Sequence, residues 1–148
     1  SDVIVLFAGR NNVYSSTFAD DVLRDAKSVE TFLRPLIKRF LVVSVTNGRY
    51  EGYGQAEYIK ILDCNARLAE AFGDRFVDVR AHLFENGLEA AGLTPTQADL
   101  DNIAAGRMPP SLMRDGTDSI HFNPAAYAVI GNYIIDAGLA ANGWFSRI

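Results

Sequence analysis

The run Asp2-Val-Ile-Val-Leu-Phe-Ala-Gly9 constrains the fold of this chain more than any other segment. It is short, apolar from Val3 to Ala8, rich in β-branched residues and stopped by glycine, the pattern of a strand buried on both faces in a parallel sheet. Such a strand belongs inside a sheet, with a neighbour on each side, because folded proteins avoid an exposed hydrophobic edge. A second apolar run, Phe40-Leu-Val-Val-Ser-Val-Thr46, supplies one neighbour. The other has no obvious source in the sequence. With 148 residues the chain has the size of one domain.

The segments between these runs carry helical periodicity. Val22, Ala26, Val29 and Leu33 recur on one face of a helix from about Thr17 to Leu33, which Pro35 is expected to end. Tyr58, Ile61, Leu62, Leu68, Ala69 and Phe72 mark a second helix between Gln55 and Phe72, with Gly73 as its stop. Cys64 lies within it as a small packing residue. Arg75 to Arg80 then alternates and predicts a shorter third strand near a sheet edge.

Gly87, Gly92, Pro95, Gly106 and Pro109-Pro110 break the next stretch of chain into pieces, so a loop-rich insertion is expected at about 85–114. One helix in it opens with Pro95 at its first position and runs through Leu100 and Ile103. Asn123 caps a last helix that starts at Pro124, with Tyr127, Ile130, Ile134 and Ala137 as its buried stripe as far as Gly138. Strand–helix alternation of this kind predicts an α/β fold with a parallel sheet, whose ligands sit beyond the carboxyl ends of the strands.

Composition narrows the partners. The net charge of −4 gives no basic field for nucleic acid or an anionic membrane surface. No apolar stretch reaches the roughly 20 residues of a spanning helix. A single cysteine allows no internal disulfide and no structural zinc site.

Two loops carry candidate chemistry. Gly9-Arg10-Asn11-Asn12 follows the first strand, where glycine permits a sharp turn; on spacing alone it also reads as a polar loop satisfying its own backbone. In Asp118-Ser119-Ile120-His121 a carboxylate stands three residues before one of only two histidines. A carboxylate on one ring nitrogen leaves the other free to take a proton from a nucleophile; a plain capping turn is the competing reading. His82 and Glu85 read as a solvated loop rather than a metal pair. Tyr50 and Tyr53 lie where they can stack on a sugar ring, or pack their loop against the following helix.

Gly9-Arg10-Asn11-Asn12 together with Asp118-Ser119-Ile120-His121 resembles the third and fifth sequence blocks, G-x-N-D and D-x-x-H, of SGNH (GDSL-type) hydrolases. The continuation His121-Phe122-Asn123-Pro124-Ala125-Ala126-Tyr127 is similar to the family's H-x-N-x-x-G-Y. The resemblance implies a three-layer α/β/α, flavodoxin-like SGNH fold and two-step ester hydrolysis through an acyl-serine, with no metal or organic cofactor. Asn11 and Gly9 would form the oxyanion site, His121 would be the general base and then acid, and Asp118 would orient it. Arg10, Asn12, Tyr50 and Tyr53 would contact substrate, a small ester or an acetylated carbohydrate. Similarity to domains of phage tail proteins and carbohydrate-modifying enzymes implies a soluble, extracellular or virion-associated setting.

Asn12 and Ala126 replace the family's Asp and Gly at supporting positions. A larger departure is the nucleophile, because no serine here follows Gly-Asp and G-x-S-x-G is absent. Residues 1–148 are therefore expected to form the C-terminal portion of an SGNH domain without its N-terminal strands. A preceding segment or a companion polypeptide would carry those strands and the nucleophilic serine. A catalytically inactive, carbohydrate-binding SGNH-like module is the alternative. A flavodoxin-like nucleotide-binding domain is disfavoured, since no glycine-rich phosphate loop follows any strand.

Overall fold

A computed structural model describes residues 3–33, 39–115 and 118–144. Among them, β1 (Ile4–Leu6), β2 (Phe40–Val43) and β3 (Phe76–Val77) form one parallel sheet in that order. Ile4 pairs with Phe40 and Leu6 with Val42, while Val42 and Val43 pair with Phe76 and Val77. Five α-helices surround the sheet: α1 (Phe18–Leu33), α2 (Ala56–Phe72), α3 (Val79–Ala90), α4 (Gln97–Ala104) and α5 (Pro124–Tyr133).

Side chains alternate across the central strand and divide the core in two. Phe40 and Val42 of β2 pack with Ala26 of α1 and with Ile61, Leu68 and Phe72 of α2. On the other face, Leu41 and Val43 pack with Val77, with Leu83 of α3 and with Ala126, Val129 and Ile130 of α5. Helices therefore cover both faces of β2, which is buried along its whole length.

The strand expected in the interior lies at an edge. No described residue pairs with the outer side of β1, and Val5 and Phe7 are 40% and 43% exposed. Ile4 and Leu6 still pack toward α1 and α2, so β1 has one covered face and one partly open face. Two-sided hydrophobicity is matched by a neighbour on each side of β2, whereas among the described residues β1 has a neighbour on one side only.

Other boundaries shift for local reasons. The expected strand 75–80 is cut to Phe76–Val77, at an edge as anticipated, because Asp78 caps α3 by accepting a bond from the Ala81 amide at 3.0 Å. Much of the expected loop-rich insertion is helical. Gly87 lies buried inside α3, where a Cβ would stand 2.8 Å from Leu112 Cδ1, so this glycine serves close packing rather than a chain break. Thr96, not Pro95, opens α4, through a capping box with Asp99.

The helices at 17–33 and 55–72 form close to the expected limits, although Leu62 is exposed rather than buried. Asn123 and Pro124 open α5 as expected. Gly138 does not stop it: the chain continues as a π-helix, Ile134–Ala140, and Gly138 is buried within it. Tyr127 leaves the expected buried stripe and is 49% exposed. The proposed stop at Pro35 lies outside the described residues. No helix among the described residues is long and apolar enough to cross a membrane.

Candidate active site

The Asp118–His121 turn is built largely from its own residues. Asp118 Oδ1 accepts bonds from the amides of Ile120 and His121, both at 2.9 Å, and Oδ2 lies 2.8 Å from His121 Nδ1. Arg114 Nη2 adds a contact to Oδ2 at 2.7 Å. The backbone bonds from His121 and Ile120, followed by the imidazole itself, hold the Asp118 carboxyl well below the usual carboxylate range. An ionised carboxylate only accepts hydrogen bonds, so the neutral imidazole carries its proton on Nδ1 and keeps Nε2 as a base.

Residues on either side attach this turn to the body. The Arg114 amide donates to His121 O at 2.8 Å, and Met113 and Phe122 form an antiparallel bridge. Asn123 donates its amide to Leu112 O and its side-chain Nδ2 to Ser111 O, while its Oδ1 caps α5 through Ala126 N. Ser111 is tied to Asp99, which is fully buried and accepts from the amides and hydroxyls of both Ser111 and Thr96. Burial raises the Asp99 pKa, but these four bonds outweigh it and the net shift is downward.

The Arg10–Asn12 turn follows β1 and is positioned from a distance. Gly9 enters it at a φ of +99°, a value that favours glycine. Arg10 Nη2 meets Glu51 Oε1 at 2.7 Å, and Glu51 Oε2 accepts the Gly48 amide at 2.8 Å. Lys60 of α2 donates to the carbonyls of Val13 and Ser15 just beyond the turn.

Gly48 also touches the histidine turn. A Cβ there would stand 2.2 Å from Ser119 O, and the next amide, Arg49 N, donates to that same oxygen at 3.0 Å. The loop after β2 thus holds Arg10 through Glu51 and Ser119 through Gly48 and Arg49. Sequence reasoning had no signal for Glu51, which pairs with a residue 41 positions away.

The two turns meet at a cavity of about 280 Å³. Asn11, His121, Arg10 and Thr46 give it polar groups, and Phe7, Ile120, Phe122 and Tyr127 give it apolar walls. No serine or cysteine among the described residues lines it. Its chemical content is an imidazole oriented by a carboxylate, together with an exposed primary amide.

Other proposed site residues fall elsewhere. Gly9 and Asn12 line a separate cavity of about 210 Å³ between β1 and α1, beside Leu6, Val22 and Val29. Tyr50 and Tyr53 are exposed and line neither cavity: Tyr53 meets Tyr58 edge to face at 5.3 Å, and Arg49 lies over Tyr50 at 5.1 Å. His82 and Glu85 lie on α3 rather than in a loop, with the His82 ring stacked on Tyr133 at 3.9 Å and its pKa pushed down by burial. No group of three or more potential metal ligands occurs among the described residues. Compared with known protein families, curated proteins and solved structures, the chain matches none.

Proposed function

We propose that this chain supplies the acid–base and oxyanion parts of an ester hydrolase of the SGNH type. The observation that carries the reading is the 2.8 Å contact between Asp118 and His121 Nδ1, with His121 and Asn11 on the wall of one cavity. In this reading His121 Nε2 takes the proton of an attacking serine hydroxyl, and the Asn11 amide donates to the oxygen that becomes anionic. His121 then protonates the departing alkoxide, and water repeats the sequence on the acyl-enzyme. The small cavity favours a short acyl group, such as the acetyl of an O-acetylated carbohydrate or another small ester.

The nucleophilic serine in this reading lies on a segment that pairs with the open side of β1. Support comes from the outer edge of β1, unpaired among the described residues, and from exposed Val5 and Phe7, a surface that an added strand would cover. The absence of a serine or cysteine from the described cavity wall favours a second reading, an inactive module that binds carbohydrate at the same place.

A serine-reactive fluorophosphonate probe tests the proposal. Label is expected on the segment that carries the serine, not on residues 3–144, and His121→Ala is expected to abolish it. Hydrolysis of p-nitrophenyl acetate by the complete protein that survives His121→Ala unchanged overturns the base assignment. A complete protein that neither labels nor hydrolyses, yet binds acetylated oligosaccharide, establishes the binding module instead.

A further inference from the structure

Five polar residues are buried in the described part of the molecule: Ser44, Thr46, Asn47, Asn65 and Asp99. Four have clear hydrogen-bonding duties. Ser44 Oγ accepts the Arg80 amide at 2.9 Å, and Asp99 takes its four bonds from Thr96 and Ser111. Asn65 clamps Val45 from α2, accepting its amide at 2.7 Å and donating to its carbonyl at 2.8 Å. Asn47 donates to the carbonyls of Glu51 and Gly106 and accepts from Arg80 Nε.

Thr46 is the exception. It is 5% exposed, and its hydroxyl has no hydrogen-bonding partner among the described residues. Buried polar side chains are nearly always satisfied, so an unsatisfied one calls for a reason. Among the described residues, the only side-chain polar atoms sealed from solvent without a partner are the Nε atoms of Arg10 and Arg107. Thr46 Oγ1 is therefore not sealed, and Thr46 is one of the residues that line the cavity of Asn11 and His121. The clamped residues Val45 and Asn47 flank it on both sides, so its backbone is held in place before any ligand arrives.

We infer that Thr46 is a substrate-contact residue whose hydroxyl donates a hydrogen bond to the carbonyl oxygen of a bound ester, beside the Asn11 amide. The inference rests on the hydrolase reading and adds a second side-chain donor to it. An unpaired hydroxyl costs the fold nothing when removed, and a donor to developing negative charge matters most in the transition state.

The experiment compares Thr46→Val, which keeps the shape and loses the hydroxyl, with Thr46→Ser, which keeps the hydroxyl, in the complete protein that carries the nucleophile. With p-nitrophenyl acetate, Thr46→Val is expected to lower kcat about tenfold or more with KM within about twofold, while Thr46→Ser stays within about threefold of wild type. The Tm of Thr46→Val is expected to equal or exceed that of wild type, which a hydroxyl serving the fold would not allow. Wild-type kcat in Thr46→Val, or Thr46→Ser as slow as Thr46→Val, overturns the assignment.

His121→Ala separates this failure from failure of the hydrolase reading. Labelling that depends on His121, with turnover indifferent to Thr46→Val, sinks Thr46 alone; labelling that ignores His121 sinks the reading beneath it. Acetate binding followed by NMR probes the hydroxyl without turnover, and Thr46→Val is expected to weaken it about threefold or more. Equal binding by the variant, or no saturable binding by wild type, overturns the contact.

Discussion

The Asp118–His121 turn takes its shape from hydrogen bonds spanning two or three residues, whereas the Arg10–Asn12 turn is held by Glu51, 41 positions from Arg10, and by Lys60 on a different helix. Both turns reach the same cavity. The first carries its geometry within its own sequence: a carboxylate three residues before a histidine accepts two amides and the ring nitrogen at once. The second carries only a glycine that permits the turn and an arginine long enough to be caught. Local bonding makes the imidazole available, and long-range bonding decides what it faces.

The largest expected effect breaks the local turn. Asp118→Asn can leave the backbone bonds to one oxygen in place while removing the charge that keeps the proton on His121 Nδ1. On the proposed hydrolase reading, kcat is expected to fall on the order of 10⁴-fold, by analogy with the same change in serine proteases. Circular dichroism is expected to be unchanged. In wild type, ¹³C NMR of the Asp118 carboxyl is expected to show no titration in the usual carboxylate range, because its bonds hold the pKa below it. A normal titration there would show that the turn is not formed.

A smaller effect is expected from the brace behind that turn. Asp99→Asn replaces a carboxylate that accepts four bonds by an amide with one accepting oxygen, and is expected to cost about 2–3 kcal/mol in urea unfolding at neutral pH. The folded Asp99 pKa is lowered, so its stabilisation is present above the unfolded carboxylate value and is lost as pH falls through the folded one. The difference between wild type and Asp99→Asn is therefore expected to shrink below about pH 4. A constant difference down to strong acid would mean that the charge of Asp99 is not what braces Ser111.

The smallest effect tests the long-range hold. Glu51→Ala removes the partner of both Arg10 and the Gly48 amide and is expected to lower kcat about tenfold. Glu51→Gln, which can still accept from Gly48, is expected to recover part of that loss. Because the Asp118 contacts are local, the ¹H shift of His121 Nδ1–H is expected to stay as in wild type in both variants. A shift that moves with Glu51 would show that the two turns are not independently held.

The legibility of the sequence follows the same division. Helices at 18–33 and 56–72, the cap at Asn123, and the Asp118–His121 pair were all readable because periodicity, capping and short-range bonding are written within a few residues. Gly87 misled as a breaker of a loop-rich insertion and Gly138 as a helix stop, because their role is to let neighbouring chain segments approach, which spacing does not reveal. Tyr127 misled because a helical stripe marks a face without saying where the neighbouring element ends. Thr46 ends the second apolar run, and its unpaired hydroxyl appears only once the partners of Ser44, Asn47 and Asn65 are known.

By itself the sequence determined an α/β chain with parallel strands, an apolar second strand and a short turn that carries Asp118 three residues before His121. Only the tertiary structure decided that β1 has no neighbour on its outer side among the described residues, that Glu51 reaches Arg10, and that Gly48 lies against Ser119. The physical reason is range. A turn or helix face is satisfied by bonds among near neighbours, whereas an edge, an ion pair across 41 residues or a close backbone contact exists only when distant segments have packed.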